Sequence, residues 1–239
     1  MLRTTAKASA QFAFHSALSV LPAGTRSRFK RYHELRYWRG VTRPIRTDHA
    51  KLEHERSHYE QFFTSFFGLM PADYAGQRVL DIGCGPCGSL EWATMAAERV
   101  GIDPLAEEYK KLADDAQAMT YCAAPSEAMP FPDGHFDSVS SFNSLDHVDD
   151  IDATIAEIKR VTAPGGRMLL IVEIGHAPTP TEPHVLDESV IEKFAPEFEA
   201  ISVRTFGLRR DHNVYGSLLD DIVYEPGKPG IFCARLLRL

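Results

Sequence analysis

At 239 residues with 44% hydrophobic side chains, the chain is long enough for one α/β domain with an appended segment and can bury a substantial core. Its formal charge of −7 is unevenly spread, +7 over residues 1–60 and −14 over the rest, so the acidic body argues against extended nucleic-acid binding while the basic front suits an anionic surface. No apolar run approaches the ~20 residues of a membrane-spanning helix, and cysteines at 84, 87, 122 and 233 make no disulfide framework, so a reducing cytoplasm is the expected setting.

The first thirty-three residues contain no acid, and Arg3, Lys7, Arg26, Arg28, Lys30 and Arg31 flank a mildly apolar stretch from Phe12 to Leu21. Residues 1–33 read as a basic leader, either frayed or an amphipathic surface helix with weak peripheral membrane contact. Residues 34–73 read as a helical segment, and its Glu34-Leu-Arg-Tyr37-Trp38 stretch suits packing on the domain that follows.

From Asp48 to Phe67 the spacing predicts one helix with Leu52, Tyr59, Phe62, Phe63, Phe66 and Phe67 on a common stripe. His54-Glu55-Arg56-Ser57-His58 inside it has the H-E-x-x-H form of zinc peptidases. At roughly 100° per residue His54 points about 150° from the apolar stripe. No third ligand follows soon after, so a solvated helix face is expected and no metal site.

Arg78 to Ile82 is a short apolar strand, and Gly83-Cys84-Gly85-Pro86-Cys87-Gly88 turns the chain toward a helix expected through Leu90, Trp92, Ala93, Ala96 and Ala97. Glycines there leave bare backbone for a ligand. The pattern also satisfies the dinucleotide fingerprint G-x-G-x-x-G. Pro86, expected at the first helical position, removes an N–H donor that a pyrophosphate would use, and the Asp81 carboxylate would repel a diphosphate but attract an ammonium group. Cys84-Gly-Pro-Cys87 spells a redox C-x-x-C, but it shares every residue with the turn.

The stretch resembles the D-x-G-x-G motif of class I S-adenosylmethionine-dependent methyltransferases, and the likeness covers roughly residues 74–175. It implies a Rossmann-like α/β fold with a seven-stranded, mostly parallel sheet whose last strand is antiparallel. It implies S-adenosyl-L-methionine as cofactor, with Asp81 holding its methionine end and Gly83, Cys84 and Gly85 passing beneath it. Residues 74–239 would form this domain, and residues 34–73 a lid over the acceptor.

Farther along, Arg99-Val-Gly-Ile-Asp103 is a second strand ending in an acid about twenty residues past the glycines, where a carboxylate meets ribose hydroxyls. The competing reading has Asp103 cap a helix starting near Pro104. Met119 to Cys122 is a third strand. The segment Ser126 to Asp137 resembles the family's adenine-side loop, but Pro125 stands where an aspartate is usual, leaving Ser126 and Glu127 to take that contact.

Phe136 to Phe142 is the fourth strand, with Asn143-Ser-Leu-Asp146-His147 at its C-terminal end, where open α/β sheets bind ligands. Asn143 is placed with the cofactor. His147 is the candidate general base, because its ordinary pKa lies near neutrality; Asp146 is expected to aim elsewhere. A helix Ile151 to Val161 and the Pro164-Gly165-Gly166 stop precede the strand Met168 to Ile174.

Glu173, His176, Glu182 and His184 cluster around the proline-stiffened loop after this strand, and His176 and His184 are the expected acceptor-binding residues. Phe198 to Phe206 and Ile231 to Leu237 close the sheet around a long connection carrying Arg209, Arg210, His212 and Tyr215. The expected function is methyl transfer to a small molecule, first a hydroxyl of a sugar or secondary metabolite. An NAD-dependent oxidoreductase and a non-catalytic nucleoside-binding partner protein are the rivals.

Overall fold

The computed structural model describes residues 23–45, 58–112, 118–179 and 181–239. Strands β1 (Arg78–Ile82), β2 (Glu98–Ile102), β3 (Thr120–Cys122), β4 (Phe136–Phe142), β5 (Thr162–Ile174), β6 (Phe198–Gly207) and β7 (Gly230–Arg238) form one sheet in the order β3-β2-β1-β4-β5-β7-β6. β1 pairs in parallel with β2 and β4, whereas β7 enters antiparallel between β5 and β6. The seven expected strands are therefore all present, with the last one antiparallel.

Strand alternation divides the core into two layers. Leu80 and Ile82 of β1 and Met168, Leu170, Val172 and Ile174 of β5 join Ile151, Ile155, Ile158 and Val161 on one face. Val79, Leu169 and Ile171 point to the other, against Phe62, Phe63, Phe67 and Leu90. Burial on both faces is why these strands read as continuous apolar runs.

The helices are α1 (Ala23–Ile45), α2 (residues 58–63), α3 (Ala106–Leu112), α4 (Ile151–Val161) and α5 (Val214–Leu219). Asp150 caps α4 by accepting from Ala153 N at 3.0 Å. The boundary expected between residues 33 and 34 falls inside α1. Residues 1–22 and 46–57, which include Phe12 to Leu21, Asp48 and His54, lie outside the described residues. His58 is half-buried against Phe62 and Tyr215 rather than on a solvated face.

Two local expectations are corrected. Residues 83–97 form successive turns and no helix, so Pro86 does not open one. Gly83, Gly85 and Gly88 all hold positive φ, 71°, 57° and 73°, a conformation that cannot propagate a right-handed helix. Second, β5 begins at Thr162 and runs through Pro164-Gly165-Gly166, absorbing the irregularity as a register shift between Phe136 and Ser138 of β4. Among the described residues no helix is long and apolar enough to cross a membrane.

Candidate cofactor and acceptor site

The C-terminal ends of β1, β2, β4 and β5 converge on the glycine turn. A Cβ built on Gly83 would lie 2.3 Å from Ser144 Cβ, so the bare face of this glycine is used to close the turn against the loop after β4. Ser144 fixes that contact by donating to Ile82 O at 2.7 Å. The bare face of Gly85 looks outward at the Trp38 indole of α1, whose ring would be 2.9 Å from a Cβ there. Cys84 Sγ packs inward against Gly101, leaving only its backbone to line the turn. Burial, with Asp103 and Asp81 adding, pushes its thiol well above the usual range, contrary to a reactive C-x-x-C.

Asp81 does not reach outward as the resemblance implies. It is 4% exposed, and its oxygens accept from Ser89 Oγ at 2.5 Å and Ser140 Oγ at 2.6 Å. Burial raises its carboxyl to about 6 against those two hydrogen bonds. It ties the turn to β4 from beneath.

Asp103 is placed differently. Its Oδ1 accepts from Leu105 N at 2.7 Å, which makes the helix-capping reading true of one oxygen. The other oxygen has no hydrogen bond among the described residues. Burial lifts its carboxyl to about 7, with the Leu105 N–H opposing, Glu34 adding, and His147 and Lys30 opposing. Pro104 follows it at the surface. Asn143, at φ 51°, buries an Oδ1 that has no hydrogen-bond partner. Open acceptor oxygens at the ends of β2 and β4 suit a ligand bringing O–H and N–H donors, as ribose hydroxyls and an ammonium do. A diphosphate brings only acceptors, and the turn offers it no helix N-terminus.

Ser126 and Glu127, expected on the adenine side, have partners within the chain. Ser126 is buried with Oγ 3.1 Å from Thr154 Oγ1, and Glu127 Oε1 accepts from Asp149 N at 2.7 Å and Asp150 N at 3.1 Å. Both side chains secure the entry to α4.

The loops after β4 and β5 bring Asp146, His147, Glu173, His176 and Glu182 together, and α1 adds Glu34. His147 Nδ1 is 3.1 Å from Glu34 Oε1 and its Nε2 is 3.7 Å from Glu182 Oε1. Burial works against its protonation, but the Glu34 hydrogen bond and the charges of Asp146, Glu34 and Glu182 outweigh this and lift it to about 9. At neutral pH it is an imidazolium between carboxylates, so it is not the free base expected from its ordinary pKa.

Asp146, expected to aim away, is 1% exposed, with Oδ2 3.8 Å from His176 Nε2 and Oδ1 unpartnered. Glu173 is pushed up to about 7 by burial, with Asp146 and Glu182 adding and His176 and His147 opposing. His184 Nε2 lies 2.8 Å from Val148 O and fastens the two loops together; it does not face an acceptor. Glu34 and Trp38 were visible in the sequence only as packing residues, because their partners lie far along the chain. Arg209 pairs with Asp220 at 3.0 Å within this connection, and Tyr215 packs against Phe62 of α2. Among the described residues no cluster suits a metal ion.

Residues 80–170 match the family model described as methyltransferase domain. The chain is 34% identical over 103 residues to the chloroplastic tocopherol O-methyltransferase of Arabidopsis thaliana, covering 40% of this chain and 30% of that one. It is 28% identical over 177 residues to the ubiquinone/menaquinone biosynthesis C-methyltransferase UbiE of Laribacter hongkongensis, covering 70% and 67% respectively. The match thus takes in less than a third of the tocopherol enzyme. Its fold is similar to that of an S-adenosylmethionine-dependent methyltransferase from Mesorhizobium loti, with TM-score 0.53 and 18% identity over 69% of this chain and 92% of that one. Residues 80–170 thus match a methyltransferase domain through the glycine turn and β4, and the fold of the chain is similar to that of an S-adenosylmethionine-dependent methyltransferase.

Proposed function

We propose that the protein methylates a hydroxyl-bearing small molecule entering between the loops after β4 and β5, with Glu173 as the group that takes the hydroxyl proton. The observation that carries this reading is a half-buried carboxyl held at about 7 near the end of β5, next to β4 in the sheet and among Asp146, Glu182, His147 and His176. A base poised near the working pH is what removal of a hydroxyl proton needs. S-adenosylmethionine supplies, when bound, an electrophilic methyl group on a sulfonium sulfur. Asp103 and Asn143 would hold its donor groups, and Asp81 would keep the turn in shape beneath it. Bringing the acceptor oxygen into line with that methyl supplies much of the rate, because direct displacement depends on alignment. The acceptor's oxygen would bond the methyl carbon as the carbon–sulfur bond breaks and leaves a neutral thioether, and its O–H proton would pass to Glu173.

Of the two relatives, one is named for O-methylation of tocopherol and the other for C-methylation in ubiquinone/menaquinone biosynthesis. A hydroxylated ring therefore stands beside the sugar or secondary metabolite expected from the sequence. The test is transfer of labelled methyl from S-adenosylmethionine to matched panels of phenols and sugars. Glu173→Gln should lower kcat by roughly 100-fold or more while leaving S-adenosylhomocysteine affinity unchanged. A full rate in that variant would remove Glu173 from the reaction.

A further inference from the structure

The carboxylates at the acceptor mouth are not all balanced by the chain's own cations. Glu34 and Glu182 face the two nitrogens of His147 at 3.1 and 3.7 Å. Asp146 and Glu173 remain. The charges that act most on them are those of Glu182, His147 and His176, with Asp146 also acting on Glu173. Lys30, the nearest α1 lysine to this region, pairs with Asp149 at 2.9 Å.

A second observation points to a ligand. Asp146 is 1% exposed and its Oδ1 has no hydrogen-bond partner, and His176 Nε2, 3.8 Å from Asp146 Oδ2, is also buried without one. A buried carboxylate oxygen left without a hydrogen bond is costly. Such a group persists where something absent from the free protein completes it. A small partner with several N–H donors and positive charge would satisfy this oxygen and the charge around it together.

Building on the acceptor mouth described above, we propose that Asp146 and Glu173 form an ammonium subsite, so that the acceptor carries an amine near the hydroxyl it presents. A primary ammonium has three donors, enough to serve two carboxylates. The same arrangement repels acceptors with a phosphate or carboxylate at that position, because the mouth holds Glu34, Asp146, Glu173 and Glu182 against one imidazolium, His147. His176, in the loop after β5, has its Nδ1 3.0 Å from Ala177 O and its Nε2 3.8 Å from Asp146 Oδ2.

Three two-carbon probes of matched size test this: ethanolamine, ethylene glycol and glycolate, each titrated calorimetrically at pH 7.5 into protein saturated with S-adenosylhomocysteine. Saturation is measured first, so that failure to bind S-adenosylhomocysteine counts against the methyltransferase reading and not against the subsite. Ethanolamine should bind at least about tenfold more tightly than ethylene glycol, glycolate should not bind, and the preference should vanish in Asp146→Asn and in Glu173→Gln, each retaining S-adenosylhomocysteine affinity. Equal binding of the two neutral-or-cationic probes, preference for glycolate, no response to any probe, or ethanolamine binding unchanged in both variants would overturn the ammonium subsite.

Discussion

Asp81 and Asp103 end neighbouring parallel strands, yet their carboxylates do different work. Asp81 satisfies two buried hydroxyls, Ser89 and Ser140, whereas Asp103 spends one oxygen on Leu105 N and keeps the other open. Replacing Asp81 with Ala orphans the Ser89 hydroxyl and leaves Ser140 with only Leu80 O at 3.2 Å, and should cost about 1–3 kcal/mol in urea unfolding. Asp81→Asn, which keeps one acceptor oxygen, should cost less; equal stability of all three proteins would show that the turn does not depend on this residue. The acid-glycine motif was legible in the sequence, but the work of its acid was not. Ser140 sits 59 residues away and reaches Asp81 only because β1 and β4 are neighbours. His147 fails the same way: its ordinary pKa suggested a base, and three carboxylates from separate segments make it a cation.

At the level of elements, α1 closes over the site. Trp38 covers Gly85, Glu34 meets His147, Lys30 meets Asp149 and Arg31 pairs with Glu108. The bare face that the cofactor would use is thus covered by the indole, and S-adenosylhomocysteine should displace it. In a Trp92→Phe background, whose only remaining tryptophan is Trp38, saturating S-adenosylhomocysteine should shift the emission to longer wavelength; an unchanged spectrum would place the ligand elsewhere. The His147 contact adds a pH dependence. Because folding raises the pKa of His147 from 6.5 to about 9, its stabilisation is complete below about 6.5 and lost as pH rises through about 9. The same emission should therefore shift on raising the pH from 8 to 10, and Glu34→Gln should abolish that transition. The absent helix after the glycine turn belongs to this scale too. Leu90 and Ala93 kept their burial, as their apolarity required, in a segment of turns that follows three left-handed glycines.

Across the whole molecule, a sheet buried on both faces set the strand positions that the sequence disclosed. Alternating burial in β5, with Leu169 and Ile171 on one face and Leu170 and Val172 on the other, is visible locally as an unbroken apolar run. Contacts between distant loops are not, and the acceptor mouth consists of little else. The parallel centre of the sheet aims β1, β2 and β4 at one edge, and the open oxygens of Asp103 and Asn143 lie there. Calorimetric titration with S-adenosylmethionine, S-adenosylhomocysteine and NADH, repeated on Asp103→Asn, tests this arrangement most directly. Micromolar binding of the first two, weakened at least about tenfold in the variant and absent for NADH, is the expected result. Binding of NADH, or cofactor affinity indifferent to Asp103, would contradict the placement of the nucleoside at the end of β2.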